Sequence, residues 1–162
     1  MQIAIISDTH LPRGARRLPD SCLSRLAASS LMIHAGDFVA LPILEQLRRL
    51  GDLVAVAGNV DDDGVRAQLP ETAVVSTESV RIGVIHDGGP ARGRLARLRA
   101  RFPECDAVVF GHSHIPLREQ APGGFQIFNP GSPTDRRRAR SHTMGIATVH
   151  EGRISFETIE LG

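Results

Sequence analysis

The chain has 162 residues, 41% of them hydrophobic and 23% charged, which is enough to bury a substantial core and reads as one domain over residues 1–162. No apolar run approaches the roughly 20 residues that span a bilayer, so no membrane partner is expected. A net charge of +1 with no Trp and no Tyr offers neither a general pull on polyanions nor a stacking platform, so a nucleic-acid polymer is not the expected partner.

Met1 to Asp8 lacks a basic leader and a small-residue cleavage site, so it reads as a strand and not as a signal peptide. Gln2 to Ile6 is apolar on consecutive positions, which predicts a strand buried on both faces. It runs into Ser7-Asp8-Thr9-His10, where Asp8 and His10 share a face if the extended geometry persists. A loop rich in Pro, Gly and Arg covers Leu11 to Pro19. Asp20 or Ser21 then caps a helix to about Ser29, with Leu23, Leu26 and Ala27 on its apolar stripe.

Leu31 to Ala35 predicts a second strand, ending in His34-Ala35-Gly36-Asp37. Ile43, Leu44, Leu47 and Leu50 have helical spacing over 41–50, with Pro42 in the first turn and Gly51 as the stop. Leu53 to Ala57 predicts a third strand, followed by Gly58-Asn59-Val60-Asp61 and a short helix after the acidic run. Strands alternating with helices imply parallel pairing through right-handed crossovers. Ligands then belong at the carboxyl ends of the strands, where Asp8, Asp37 and Asn59 fall.

Ala73 to Ser76 and Val80 to Ile85 predict two further strands around Thr77-Glu78-Ser79, the second ending in His86-Asp87-Gly88-Gly89-Pro90. Ala91 to Arg101 reads as a helix with Leu95 and Leu98 inward and its arginines solvated. The apolar run 106–110 leads into Gly111-His112-Ser113-His114, and Pro116 keeps the ladder from resuming at once. Phe125 to Phe128 predicts a strand before Asn129-Pro130-Gly131-Ser132. Met144 to Val149 and Arg153 to Ile159 read as a closing hairpin around Glu151-Gly152. The one stretch considered for disorder is Thr134 to Ser141. Cys22 and Cys105 form no C-x-x-C and read as small buried hydrophobes in a reducing cytoplasm.

A His-x-His pair alone is ordinary loop polarity. Here Asp8, His10, Asp37, Asn59, His86, His112 and His114 all stand just past apolar runs. Carboxylate, amide oxygen and imidazole together suit borderline divalent metals, Mn first, with Fe, Zn or Ni as alternatives, and hold too many nitrogens for Ca. Paired ions sharing a carboxylate are a recurrent solution for phosphoester hydrolysis.

Asp8-x-His10, Gly36-Asp37, Gly58-Asn59, His86 and Gly111-His112-Ser113-His114, in that order, resemble the calcineurin-like metallophosphoesterases. Length and Asn129-Pro130-Gly131-Ser132 are similar to their small bacterial and archaeal phosphodiesterase branch, which also contains a retromer scaffold subunit. The resemblance implies an α/β fold, a two-sheet β-sandwich flanked by helices in four αββα layers. It implies two divalent metal ions: Asp8, His10 and His114 on the first, Asn59, His86 and His112 on the second, and Asp37 bridging. Asp37, Asn59 and His86 would then act on the reaction through the metals.

Two positions depart from the family pattern. Val60 stands where many members carry a histidine thought to protonate the leaving group, and valine donates no proton. Asp87 follows His86 where glycine is common; it either accepts from a histidine and orients it or caps the Gly-rich turn, the second being the preferred reading. His34, inside an apolar strand, reads as a hydrogen-bonded core histidine able to support the site. Asp61, Asn129, Ser132 and Arg136 are candidates for substrate contact or for supporting the ligands. Arg136 to Arg138 would attract an anionic substrate, and His142 and His150 read as surface residues.

The expected activity is metal-dependent hydrolysis of a small phosphodiester by metal-bound hydroxide. The alternative is a non-catalytic scaffold on the same fold. A homodimer is compatible with either.

Overall fold

The computed structural model describes residues 1–77 and 79–162. In chain order the elements are β1 (Gln2–Ile6), α1 (Asp20–Ala28), β2 (Leu31–His34), α2 (Leu41–Leu50), β3 (Leu53–Ala55), α3 (Asp63–Gln68), β4 (Thr72–Ser76) and β5 (Arg81–Ile85). There follow α4 (Arg94–Arg101), β6 (Ala107–Val109), β7 (Leu117–Gln120), β8 (Gln126–Asn129), β9 (His142–His150) and β10 (Arg153–Leu161). Glu78, in the turn expected between β4 and β5, lies outside the described residues.

The strands form two five-stranded sheets, ordered β10-β9-β1-β2-β3 and β4-β5-β6-β8-β7. In the first, β1, β2 and β3 are parallel, as the alternating pattern predicts, and the hairpin β9–β10 adds antiparallel to β1. In the second, β5, β6 and β8 are parallel, with β4 and β7 antiparallel at the two edges.

Side-chain alternation makes the layers. Ile3 and Ile5 of β1 face between the sheets with Ile33, Ile82, Val84, Val109, Phe128 and Phe156. Ala4 and Ile6 face the other way, onto Cys22 and Leu26 of α1 and Leu44 and Leu47 of α2. On the outer face of the second sheet, Val108, Phe110 and Ile127 pack on Leu98 of α4. This is the expected sandwich of two sheets between helices. Six parallel strands send their carboxyl ends to one edge of it.

Some local expectations are corrected. On α1 the buried residues are Cys22 and Leu26, while Ala27 is exposed, because the stripe runs i, i+4 from Cys22. Helix α4 begins at Arg94, after Gly93 in the left-handed region at φ 73°. Its arginines are not simply solvated: Arg94 and Arg97 donate to the carbonyls of Gly88, Gly89 and Pro90, and Arg99 donates to Cys105. Strand β7 lacks apolar alternation and was not expected. As an edge strand with most side chains in water, it is held by its ladder to β8 and not by burial. His142 is half-buried in β9. Thr134 to Ser141 folds onto the strand ends, with Thr134 Oγ1 donating to Thr9 O at 2.6 Å and Ala139 buried.

Candidate metal centre

The loops after β1, β2, β3, β5 and β6 carry the candidate ligands. Asp8, His10, Asp37, His112 and His114 all have positive φ, between 45° and 71°. Non-glycine residues hold that conformation only where the surroundings over-determine it. Here the backbone is pinned: Asp8 N donates to Gly36 O at 2.9 Å, His10 N to Asp37 O at 3.0 Å, and His112 N to Asp8 Oδ2 at 3.0 Å. Gly58 and Gly111 permit the closest approaches. A Cβ at Gly58 would strike the Asp37 carboxylate, and one at Gly111 would strike Ser7 Oγ and Asp8 Oδ2.

The seven predicted ligands converge. Asp8, His10 and His114 form one group and Asp37, His86 and His112 another, their candidate atoms within 4.8 Å of one another in each. Asp37 Oδ2 lies between the groups, 3.4 Å from His10 Nε2 and 3.2 Å from His86 Nε2. Asn59 Oδ1 completes the second group, 2.9 Å from His86 Nε2 and 3.1 Å from His112 Nδ1. The first group is closed off from solvent, whereas Asn59 and His112 are exposed, so the cluster opens on the side of the second.

Two imidazoles have their tautomers set by backbone carbonyls. His86 Nδ1–H donates to Ala35 O at 2.7 Å and His114 Nδ1–H to Asp135 O at 2.5 Å, leaving both Nε2 lone pairs turned into the cluster. Asp8 Oδ1, His10 Nε2 and His114 Nε2 are buried without a hydrogen-bond partner among the described residues. Deeply buried polar atoms normally have partners, and three such atoms converging from an acid and two imidazoles are what a cation requires. The residues present fit divalent metal ions.

The electrostatics agree. Burial alone would lower the His10 pKa, but the nearby Asp37 and Asp8 carboxylates, 3.4 and 3.9 Å from Nε2, outweigh that and raise it to about 9. Burial would raise the Asp37 carboxyl, yet His10 and His86 hold it well below the ordinary carboxylate range. A carboxylate held ionised beside imidazoles in a buried cluster is an environment that favours positive charge.

The remaining predicted residues hold the loops. Asp61, 5% exposed, accepts backbone N–H bonds from Gly58 at 2.7 Å, Val39 at 2.7 Å and Asp37 at 3.2 Å, so one carboxylate ties the Asp37 loop to the Asn59 loop. Asn129 donates to Gly111 O and Ser113 Oγ and accepts from Gly131 N. Ser132 Oγ donates to Asp8 O at 2.8 Å. His34 stacks on Phe38 with centroids 3.5 Å apart, accepts from Gly36 N at Nδ1, and meets Thr9 Oγ1 at Nε2, 3.1 Å away. Asp87 caps its own turn, accepting from Gly89 N at 2.7 Å. Arg136 is exposed and donates to Ala139 O, with Arg137 and Arg138 beside it on the loop that supports His114. Val60 is 38% exposed, and its N–H donates to Asp37 Oδ1 at 3.0 Å.

Sequence reasoning missed Arg66, whose guanidinium donates to Asn59 O at 2.6 Å and Asp61 O at 2.8 Å and so braces the Asn59 loop. It also missed the carbonyls of Ala35 and Asp135. A lone arginine on a short helix carries no signal, and a backbone carbonyl carries none at any residue.

Residues 1–152 match the calcineurin-like phosphoesterase superfamily domain. A probable metallophosphoesterase of Methanothermobacter thermautotrophicus is 32% identical over all of this chain and 94% of its own length. Among solved structures, Thermotoga maritima protein TM1076 is 30% identical with a TM-score of 0.77, each chain covered to 99%. Wild-type Vps29 of Entamoeba histolytica, solved in complex with zinc, has the same fold at a TM-score of 0.77 and 22% identity, again covering 99% of each chain.

Two outcomes test this geometry. Asp61→Ala leaves three backbone N–H groups without their acceptor. It should cost about 2–4 kcal/mol in urea denaturation and weaken divalent-metal binding about 10–100-fold by calorimetry; unchanged metal affinity would remove Asp61 from its supporting role. Burial, helped by the His86 charge, lowers the His34 pKa from 6.5 to about 3. The unfolded chain therefore takes up a proton near pH 6.5 that the folded chain refuses. The stabilisation is complete above about pH 6.5 and is lost as pH falls toward 3, at up to about 1.4 kcal/mol per pH unit. In chelator, His34→Gln should start less stable than wild type at pH 7.5 and lose stability less steeply below 6.5. Parallel slopes would show that His34 does not titrate in this way.

Proposed function

The chain belongs to the calcineurin-like phosphoesterase superfamily, and from that premise we propose that it is a phosphodiesterase working through a dinuclear divalent-metal centre. The observation that carries this reading is the position of Asp37 Oδ2, within 3.4 Å of an imidazole from each ligand group. Asp8, His10 and His114 would hold one ion, Asn59, His86 and His112 the other, with Asp37 shared. Mn is the metal we assign first, and Zn, found in the Vps29 relative, is its nearest competitor. Such ions polarise phosphoryl oxygens and activate water for in-line attack.

The chain's own residues define the rest. The Asp61 carboxylate and the Arg66 guanidinium fix the spacing between the Asp37 and Asn59 loops. His34 bonds Thr9 and Gly36 through its two ring nitrogens, tying the loop after β1 to the loop that carries Asp37. His112, exposed at the mouth, meets the substrate side of the cluster. Val60 occupies the rim where an acid would protonate a departing oxygen. Leaving groups able to depart as anions are therefore favoured, and a diester with one good leaving group suits that better than an alkyl monoester. Two buried thiols, Cys22 and Cys105, support a cytoplasmic setting. A scaffold is the second reading, carried by the likeness in fold to Vps29; the complete ligand set counts against it.

Metal-stripped protein given Mn should bind two ions per chain and cleave an aryl phosphodiester faster than the matching monoester, with Asp37→Asn losing both properties. Tight Mn binding with no turnover on either ester would favour the scaffold. Val60→His should raise turnover of esters with poor leaving groups by about tenfold or more, the lower range of general acid catalysis. An unchanged rate would mean that position 60 does not face the departing oxygen.

A further inference from the structure

A cavity of about 450 Å³ opens beside the second ligand group, with His86 and Asn59 in its wall. Its volume is that of a small-molecule site, for which roughly 300–1,000 Å³ is usual. Arg66, Glu71, Asp87 and Arg101 also line it. Charged side chains crowded around one cavity ordinarily neutralise each other. Among the described residues, these four form no ion pair with one another. Arg66 is committed to the carbonyls of Asn59 and Asp61, and Asp87 to its own turn. Glu71, just before β4, and Arg101, the last residue of α4, are exposed and carry no side-chain hydrogen bond among the described residues. A carboxylate acceptor and a guanidinium donor thus face the same space from separate elements.

We propose that this cavity takes one ester arm of the substrate, and that the arm is a polyol or sugar. The inference rests on the phosphodiesterase reading of the metal centre. Each hydroxyl of such an arm donates one hydrogen bond and accepts others, which complements Glu71 and Arg101 together. The lining contains no Phe, Tyr or Trp, and its one ring, the His86 imidazole, is 5% exposed and turned to the ligand cluster, so a nucleobase has no open aromatic face to stack on there. A phosphomonoester has no second arm to place in the cavity, which gives the diester preference a physical origin beyond the departing oxygen.

The test compares two substrates on Mn-loaded enzyme: a bis-aryl phosphodiester, and an aryl phosphodiester whose second arm is glycerol. Wild type should favour the glycerol substrate through a lower KM. Glu71→Gln and Arg101→Met should each reduce the ratio of the two kcat/KM values by about tenfold, as expected for one hydrogen bond to a charged group. Independently of catalysis, ribose, the arm alone, added to metal-stripped protein should shift the backbone amides of Glu71 and Arg101 in NMR spectra, and each variant should weaken that binding. A ratio that neither variant alters, or shifts confined to other surfaces, overturns the proposal. Cleavage of neither diester would instead overturn the activity reading, and the NMR titration alone would then decide the cavity.

Discussion

Two carboxylates set the terms for this structure. Asp8 and Asp37 are 0% and 2% exposed, and a buried carboxylate is tolerated only beside compensating charge and hydrogen bonds. The protein meets that demand with imidazoles: His10 and His86 approach Asp37, and His114 approaches Asp8. The Ser7 hydroxyl donates to Asp8 Oδ2 at 2.6 Å, and backbone N–H groups of Val60 and His112 donate to Asp37 and Asp8. The glycines at 58 and 111 follow from this crowding, because any larger residue would occupy the space the acids need.

The constraint extends into the backbone. Residues in the left-handed region cost free energy that packing and hydrogen bonds must offset, and five of the seven candidate ligands lie there. The layer of carbonyl and hydroxyl contacts beneath them, from Gly36 O, Asp37 O and Ser132 Oγ, is what makes those conformations the stable ones. Stability and pre-organisation are thus the same contacts seen from two sides. A looser loop would cost less to fold but would not hold seven donors in register.

Much of this was legible in the sequence for a simple reason. In a parallel sheet the carboxyl ends of the strands share one edge, so Asp8, Asp37 and Asn59 could be brought together from strand order alone. His86, His112 and His114 needed more, since nothing in their local pattern says that the second sheet lies face to face with the first; that step came from resemblance. His34 and Asp87 were readable from their immediate neighbours. Asp61 was noticed for its charge, but its partners are N–H groups of Asp37, Val39 and Gly58, and such partners have no residue-type signature. Strand β7 escaped because Leu117 to Gln120 has no period, and the α4 arginines because a helix face full of charge looks the same whether it meets water or carbonyls.

The division of the ligands between the sheets has a mechanical meaning. Asp8, His10, Asp37 and Asn59 follow strands of the first sheet, whereas His86, His112 and His114 follow strands of the second. Each ligand group draws on both. An ion held by either group is therefore a rivet across the seam between the two halves of the sandwich, at the edge where no strand ladder joins them. Ligands that bind only the native state raise its stability with their concentration, so the resistance of this chain to splaying open would rise and fall with the supply of cations around it.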